Sequence, residues 1–460
     1  MEKKFYVTTA IDYVNGRPHI GHAFEKVIAD ALVRWKKLQG QDTYFLTGTD
    51  ENAQKNATVA KEQGRDIKEF VDENSKVFIE LCDKLNIGYD RFIRTTEEDH
   101  VKKSQEIFKQ VYEKGDIYKG QYEGLYCSGC ESFVTEKDLI DGKCPEHNEE
   151  PEKISEEAYF FKMSEYESRI KEFIKNYIVP ESRKNEISSR IEQQGIRDLC
   201  VSRKNLDWGI DNPIDDSHKI YVWFDALINY ISGGSTNWPA DVHVIGKGIN
   251  WFHSVIWPSI LMSAEFKLPK KLLVHGYLNI GGEKMSKSLG NVIDPIELIE
   301  KYGSDAVRYA LLRCSTFEDS EFSENILIER YNNELANKLG NLVSRVSTLA
   351  EKYGIDSSEE TLIKKLNEEK INNYFESFEL DKALGEIFSF IDVCNEYIQE
   401  RKPWETKDKK VLGELVASIR EIAKLLSPFV PESAKKIEEV FKTNNIKKSP
   451  IIFKKIEDKK

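Results

Sequence analysis

The chain has 460 residues, of which 40% are hydrophobic and 32% charged. This composition is typical of a soluble globular protein with about three domains, and it excludes collagen-like, disordered and coiled-coil chains. No run of 18 apolar residues is present, and the N-terminus leads directly into a strand-like segment, so we predict no membrane contact, no signal peptide and a cytoplasmic location.

The formal net charge of −12 argues against a protein that holds nucleic acid by bulk electrostatics. The C-terminal end differs, because residues 441–460 carry seven lysines and two acidic residues. A polyanionic partner would favour this end, although a solvated lysine-rich tail is the simpler interpretation. The odd count of seven cysteines argues against a disulfide framework.

The first 50 residues predict a strand, a helix and a second strand. Residues 5–9 form the first strand, and Gly16 and Pro18 end it. Apolar side chains then recur with helical spacing at Phe24, Val27, Ile28, Ala31, Leu32 and Trp35. Gly40 ends this helix, and residues 43–47 form the next strand. Such a unit predicts an α/β fold with a Rossmann-type parallel sheet.

The rest of the chain divides by its texture. From about residue 120 to residue 215, cysteine, glycine and charged residues dominate, which indicates an insertion. Strand-like apolar runs return at residues 219–224, 242–245 and 271–274, so the same sheet is predicted to resume. Residues 326–440 have a helical pattern almost throughout, which predicts an all-α bundle.

The segment Pro18-His19-Ile20-Gly21-His22 lies between the first strand and the first helix. A helix N-terminus offers unbonded N–H groups and the positive end of the helix dipole, and both favour phosphate. Gly21 lets a base or ribose approach the backbone, and His19 and His22 can donate hydrogen bonds to phosphate oxygens. The alternative is that the histidines only cap or pack the helix.

The segment Lys284-Met285-Ser286-Lys287-Ser288 follows Gly281-Gly282 and precedes Gly290. Paired glycines predict a mobile loop. Two ammonium groups three residues apart can close on a triphosphate and neutralise the charge that grows on a diphosphate leaving group. A solvated basic loop is the alternative.

Three cysteines and a histidine form two close pairs separated by 13 residues: Cys127, Cys130, Cys144 and His147. Soft ligands with this spacing are typical of one tetrahedral Zn²⁺ site. Because side chains fill all four positions, we expect a structural site, and a zinc-dependent hydrolase, which needs an open position, is disfavoured. The alternative is three unrelated thiols and a surface histidine.

The His-Ile-Gly-His and Lys-Met-Ser-Lys-Ser segments resemble the two signatures of class I aminoacyl-tRNA synthetases. The resemblance implies a ligase that joins an amino acid to ATP, releases diphosphate, and moves the acyl group to the 3′ end of tRNA. It implies Mg²⁺ with the ATP, and it assigns the catalytic and ATP-binding roles to His19, Gly21, His22, Lys284 and Lys287.

Further stretches resemble methionyl-tRNA synthetases in particular, at residues 10–16, 48–51, 123–130, 180–183, 221–227 and 246–253. They imply L-methionine as substrate and a pocket formed by Ala10, Ile11, Tyr13, Asp50, Trp223, Ala226, Leu227, Tyr230, Ile249 and His253. Asp50 would hold the substrate ammonium. A thioether gains from aromatic edges, and a neutral His253 or the Tyr13 hydroxyl could donate to its sulfur. An ordinary aromatic core is the alternative.

The helical region resembles the anticodon-binding helices of this family at residues 333–345 and 401–404. The resemblance implies that Asn341, Arg345 and Trp404 bind the anticodon of tRNA(Met). Amide and guanidinium groups can read base edges, and an indole can stack on a base. Packing between helices is the alternative for Trp404.

The resemblance also organises the chain into domains. It predicts a catalytic domain in two halves, at residues 1–115 and 219–275, with a zinc-knuckle insertion between them at residues 116–218. A signature-loop and stem-contact region follows at residues 276–325, and an anticodon-binding bundle at residues 326–460. The insertion is too short for the separate editing domain of the isoleucine, valine and leucine enzymes. We expect a monomer, because the chain ends where many relatives continue into a dimerising module.

One departure from the family lies beside Asp50, where Asn52-Ala53 replaces the usual His-Gly. This change puts ATP affinity in question.

Two alternative functions stay open. A class I synthetase for another amino acid is disfavoured by Trp223 and His253. A non-catalytic tRNA-binding paralogue should have lost the signature histidines or lysines.

Overall fold

The computed structural model describes residues 3–127, 132–134, 136, 139–145, 149–204, 206–284, 292–357 and 361–457. Spatial contacts divide these residues into two compact units. The first unit contains residues 3–18, 41–80 and 88–275. The second contains residues 19–40, 81–87 and 276–457. None of the described helices has both the length and the apolar character needed to cross a bilayer.

A six-stranded parallel sheet forms the centre of the first unit. Across the sheet its strands are β3 (Arg91–Arg94), β2 (Thr43–Asp50), β1 (Phe5–Tyr13), β11 (Val242–Gly246), β12 (Lys271–His275) and β7 (Ile178–Val179). The chain first adds strands on one side of β1 and then on the other, so the order reverses between β1 and β11. The predicted parallel-sheet α/β fold is confirmed, and ligands of such sheets bind beyond the carboxyl ends of the strands at this reversal.

Helices and buried apolar side chains complete the first unit. The helices are α2 (Gln54–Glu62), α3 (Ile67–Lys84), of which residues 81–84 count with the second unit, α4 (Glu98–Glu113), α5 (Glu167–Tyr177), α6 (Glu181–Gln194), α7 (Val222–Leu227), α8 (Asn229–Ser232) and α9 (Trp257–Ser263). A π-helical turn, Phe252–Ile256, precedes α9, and a 3₁₀ turn, Lys247–Ile249, follows β11. The core includes Tyr6, Phe108 and Trp257, which are all fully buried.

The predicted insertion forms an antiparallel sheet of its own. Its strands are β5 (Ser132–Val134), β4 (Ile117–Cys127), β6 (Glu152–Phe161) and β8 (Leu199–Cys200), and β9 (Ser202–Lys204) pairs with β10 (His218–Ile220). The predicted range 116–218 is nevertheless not one continuous insertion, because β7 returns to the main sheet and pairs with β12. A two-residue strand is too short to produce a recognisable period in the sequence.

The second unit is mostly helical, which confirms the predicted helical region. Its helices are α1 (Ile20–Leu38), α10 (Pro295–Tyr302), α11 (Ser304–Leu312), α12 (Glu324–Arg330), α13 (Asn341–Tyr353), α14 (Glu368–Glu376), α15 (Leu380–Arg401), α16 (Pro403–Thr406), α17 (Lys409–Leu426) and α18 (Pro431–Phe441). A π-helical segment, Tyr331–Gly340, joins α12 to α13. A small sheet is formed by β14 (Glu283–Lys284), β13 (Leu278–Ile280) and β15 (Ser320–Glu321).

Helix α1 belongs to this second unit, although the predicted domain 1–115 included it. Asp30 of α1 forms an ion pair with Arg308 at 2.7 Å, and both side chains are inaccessible to solvent. Trp35 of α1 stacks on Phe375, with ring centroids 4.0 Å apart. These contacts join residues more than 270 positions apart, which local sequence patterns cannot reveal.

Candidate active site and anticodon site

The predicted methionine site begins where the central strands end. Tyr13 and Asp50 are register partners at the carboxyl ends of β1 and β2. Ile249 lies in the 3₁₀ turn that follows β11. Strand β1 carries one extra residue between Thr8 and Ile11, and such bulges re-aim side chains beside active sites. Tyr13 and Ile249 therefore lie on the two sides of the reversal of strand order, and Asp50 lies one strand further along the sheet.

The structure brings together side chains that are far apart in the sequence. Trp223 and Ala226 of α7 are buried in a hydrophobic cluster against which Ile11, Tyr13 and Ile249 pack. The other predicted pocket residues are buried as well: Ala10, Asp50, Leu227, Tyr230 and His253. Sequence reasoning missed several members of this cluster, among them Ala53 and Phe252.

Aromatic rings form one wall of this cluster. Phe252 stacks on Trp223 with centroids 3.5 Å apart, and Tyr13 meets Trp223 edge-on at 6.4 Å. Phe252 lies in the π-helical turn next to His253, and such turns are frequent at functional sites. The wall offers ring edges and faces to a soft apolar side chain.

The hydrogen bonds of His253 fix its tautomer. Nδ1 lies 3.0 Å from the carbonyl oxygen of Ile249, which can only accept, so Nδ1 carries the proton of the neutral ring. Nε2 then accepts from the Tyr230 hydroxyl at 2.7 Å. Both ring nitrogens thus have partners within the protein, and the prediction that a neutral His253 donates to the substrate sulfur stays a prediction. The Tyr13 hydroxyl is the other predicted donor.

A second buried histidine, His243, supports Tyr230 from the side of β11. Its ring centroid lies 4.3 Å from that of Tyr230. Burial, with a smaller effect of His253, holds the pKa of His243 well below its usual value, so the ring is neutral. Trp257 Nε1 donates to its Nε2, which leaves the Nδ1 proton for Thr8 Oγ1 at 2.6 Å.

The turn after Asp50 is held by many hydrogen bonds. Asn56 donates to the carbonyl oxygens of Asp50 and Glu51, at 3.0 and 3.1 Å. The buried Glu51 carboxylate accepts from Arg94 at 2.6 Å. Burial alone would lower the pKa of Arg94, but its hydrogen bonds to Glu51 and Asp72 raise it. Asp50 is 2% exposed at the end of this fixed segment.

The first signature caps α1 in the second unit. His19 Nδ1 accepts from Gly21 N at 3.1 Å, and His22 Nδ1 accepts from His19 N at 3.0 Å. The two rings stack with centroids 3.7 Å apart. Because each Nδ1 accepts a backbone N–H, Nε2 is the ring atom that can donate to a phosphate oxygen.

The expected free N–H groups at this helix start are not found. Ile20 N donates to Ile293 O, Gly21 N donates to His19 Nδ1, and His22 N donates to His19 O. Each of these N–H groups already has an acceptor, so the expectation that they are unbonded is wrong, while phosphate binding at this helix start stays a prediction. The positive end of the helix dipole also favours phosphate here.

The second signature begins on β14, where the backbone of Lys284 pairs with that of Asn279. Gly282, in the preceding turn, donates its N–H to the Glu321 carboxylate at 3.2 Å. The hydrogen bond from Ile20 N to Ile293 O connects the segment that follows the second signature to the first signature. The Lys284 side chain and the whole of Lys287 lie outside the described residues.

Two of the four predicted zinc ligands, Cys130 and His147, also lie outside the described residues. Cys127 and Cys144 are described and are 1% and 3% exposed. Cys127 pairs with Ser132 in the β4–β5 hairpin, and Cys144 N donates to Glu149 O at 2.9 Å. In the described part of the chain no cluster of three metal-ligating side chains occurs.

The predicted anticodon residues lie together in the second unit. Trp404 is half-buried on α16, and the guanidinium of Arg345 lies 5.4 Å from its ring centroid. Asn341 is exposed at the start of α13, one turn before Arg345. Lys402 has a left-handed backbone conformation and ends α15, and Pro403 starts α16. This sharp turn presents the indole at the surface.

Comparisons with known proteins address the family. The family model for class I tRNA synthetases (M) matches residues 5–154 and 147–347. A methionine–tRNA ligase of Clostridium acetobutylicum is 46% identical, over 95% of this chain and 73% of the relative. The chain belongs to the methionyl-tRNA synthetase family. A methionine–tRNA ligase of Thermotoga maritima is 40% identical, over 97% of this chain and 76% of the relative.

Structures of this family support the same assignment. Mycobacterium tuberculosis methionyl-tRNA synthetase in complex with methionyl-adenylate superposes with a TM-score of 0.89 at 36% identity, over 95% of this chain and 94% of that one. The family model for an anticodon-binding domain of tRNA ligase matches residues 359–458, so this methionyl-tRNA synthetase family member carries that domain in its helical unit.

Proposed function

We propose that the chain activates L-methionine with ATP to methionyl-adenylate and diphosphate, and then transfers methionine to the 3′ end of tRNA(Met). One observation carries this proposal: Tyr13 packs against the aromatic and aliphatic cluster around Trp223 and is also the register partner of Asp50, at the carboxyl ends of the central strands. A carboxylate for the substrate ammonium and a soft wall for its side chain are thus combined in one unit.

The pocket residues fit the chemistry of methionine. The Asp50 carboxylate pairs with the substrate ammonium. The edges of Tyr13 and Trp223 contact the polarizable thioether. The Tyr13 hydroxyl donates to sulfur, whereas Tyr230 and His253 fix the shape of the pocket through their mutual hydrogen bond.

Activation needs no nucleophile from the protein. The substrate carboxylate attacks the α-phosphorus, a new P–O bond forms, and the bond to diphosphate breaks. Catalysis then consists of positioning and charge stabilisation. The Nε2 atoms of His19 and His22 orient the triphosphate, Gly21 lets the nucleotide approach, and Lys284 and Lys287 neutralise the leaving diphosphate. Mg²⁺ accompanies the ATP substrate.

The knuckle of the insertion binds one structural Zn²⁺ through Cys127, Cys130, Cys144 and His147. Two features of the described residues support this proposal. Both cysteines are buried, and backbone hydrogen bonding holds each of them: Cys127 pairs with Ser132 across β4 and β5, and Cys144 N donates to Glu149 O. Cysteine thiolates are the ligands typical of structural Zn²⁺ sites.

The helical domain binds the anticodon of tRNA(Met) through Asn341, Arg345 and Trp404. The half-buried indole beside a guanidinium supports this role, because an accessible ring can stack on a base. We also expect the protein to be cytoplasmic and monomeric. Sedimentation of the purified chain measures its oligomeric state directly.

The experiment that tests this function is tRNA charging. The purified chain, ATP, Mg²⁺ and labelled methionine should yield methionyl-tRNA from a tRNA(Met) transcript, and no product should form without ATP. Binding of the transcript without charging would instead identify a non-catalytic tRNA-binding paralogue and would contradict the proposal.

A further inference from the structure

A buried polar cluster of four side chains lies in the first unit: Asn52, His100, Ser104 and Asp225, here called the Asp225 cluster. Asp225 Oδ1 accepts from His100 Nε2 at 2.7 Å and from Ser104 Oγ at 3.0 Å. Its Oδ2 accepts from Asn52 Nδ2 at 2.8 Å. Asp225 is 1% exposed and Asn52 8%. The carboxylate therefore depends on protein donors in place of water.

The cluster joins two segments that carry methionine-pocket residues. Asn52 follows Asp50 by two positions at the carboxyl end of β2, and Asp225 lies on α7 between Trp223 and Ala226. The Asn52 amide also donates to the Thr95 carbonyl at 3.0 Å. One side-chain amide thus bridges the segment with the ammonium-binding carboxylate to the helix with the aromatic wall.

The neighbouring residue, Ala53, makes the same connection by packing. It is fully buried and belongs to the hydrophobic cluster of Trp223 and Ala226. Both residues of the Asn52-Ala53 departure therefore contact the methionine side of the site. This is a different side from the one that the sequence suggested, where the departure put ATP affinity in question.

The physical consequence is a fixed distance between the two segments. When a buried carboxylate loses one donor, an oxygen lone pair is left without a hydrogen bond from either protein or water, and the folded state is destabilised. Sliding of α7 against β2 would break the Asn52–Asp225 hydrogen bond and also disturb the bonds from His100 and Ser104. Networks of this kind hold the side chains of a site in one arrangement.

We propose that Asn52 is a positioning residue for methionine. Through Asp225 it fixes Asp50 relative to Trp223, so that the substrate ammonium and thioether are both accommodated; it does not set the affinity for ATP. This inference rests on the proposed function, because it deepens the role of the same pocket.

The test compares Michaelis constants in ATP–diphosphate exchange. Asn52→Leu keeps the side-chain size but removes the amide donor. We expect the KM for methionine to rise about tenfold, as loss of one hydrogen bond to a buried charge predicts, while the KM for ATP stays within about twofold. Calorimetric titration with methionine alone should give the same change in Kd.

Two further variants support the comparison. Asn52→His restores the residue usual in the family and keeps an N–H donor, so the KM for methionine should stay within about threefold of the parent. Ser104→Ala removes a weaker bond to the same carboxylate and should raise that KM about two- to fivefold, which keeps the proposal testable if Asn52→Leu fails to fold.

The control is Asn212→Leu, since Asn212 is also a buried asparagine of the same unit, and its side-chain oxygen accepts from Ile214 N, which is not a pocket residue. Both Michaelis constants should be unchanged in this control. The proposal is overturned if Asn52→Leu and Ser104→Ala lower only the melting temperature, or raise both Michaelis constants equally. Absence of methionine-dependent exchange in the parent chain would overturn the proposed function itself, and the positioning role with it.

Discussion

Replacement of Trp404 by alanine should separate tRNA recognition from methionine activation. The indole is half-buried, with the Arg345 guanidinium 5.4 Å from its centroid. Base–aromatic stacking contributes about 1–3 kcal/mol, so kcat/KM for tRNA(Met) should fall roughly 5- to 150-fold. Methionine-dependent ATP–diphosphate exchange without tRNA should be unchanged, because neither residue is assigned to the binding of ATP or methionine.

The stability of Trp404→Ala decides between base stacking and helix packing. A fully buried tryptophan would cost about 3–5 kcal/mol on truncation, whereas a half-buried ring with an exposed cation–π contact should cost about 1–2 kcal/mol. Tyr374→Ala is the matched control, since this ring is also half-buried in the helical unit with a cation, Lys370, 5.8 Å from its centroid. Early melting of Trp404→Ala with joint loss of exchange and charging would refute the anticodon role.

Four further outcomes are expected. Lys287→Ala should lower kcat for exchange about 10²–10³-fold with little change in the KM for methionine; equal losses in both would contradict its assigned role. Elemental analysis should find one zinc per chain, and Cys130→Ser should abolish it and destabilise the insertion; metal-free protein with full stability and activity would contradict the knuckle. Norleucine should be rejected only about 10–200-fold in exchange, and Tyr13→Phe should reduce that ratio if the hydroxyl donates to sulfur; an unchanged ratio would exclude that donor. Arg308→Met should lower the free energy of unfolding in urea by about 3–5 kcal/mol, because Asp30 loses its fully buried ion-pair partner, although Arg34 still contacts it, and the carbonyls of Leu85, Pro428 and Phe429 lose their donor; a loss below about 1 kcal/mol would contradict this estimate.

Local patterns predicted the regular parts of the fold well. The helical spacing from Phe24 to Trp35 lies within α1, and the strand predicted at residues 43–47 lies within β2. The π-helical segment Tyr331–Gly340 and α13 follow the predicted helical texture. Periodicity reports which side of an element is buried, so it succeeds where elements are long.

Long-range pairing explains what the sequence did not reveal. The strands β4 and β6 are rich in charged and polar residues, because the sheet of the insertion is partly solvated, and their texture indicated only an insertion. Strand β7 is two residues long. The grouping of α1 with the helical unit depends on the Asp30–Arg308 pair, which no local pattern encodes.

In the candidate site, too, the sequence predicted the residues but not their long-range contacts. Motifs indicated Asp50, Trp223 and His253, but not how their hydrogen-bonding groups are used. The tautomer of His253 depends on Ile249 and Tyr230. The donors to Asp225 come from segments more than 100 residues away. Such satisfaction of buried polar groups is a property of the folded chain.

The most direct test of the central claim is ATP–diphosphate exchange with a panel of amino acids in the absence of tRNA. The arrangement of Asp50, Tyr13 and Trp223 predicts exchange with methionine, weaker exchange with norleucine, and none above background with charged or small polar amino acids. A preference for isoleucine, leucine or valine would contradict the assignment of methionine. No exchange with any amino acid would contradict the assignment of an activating enzyme.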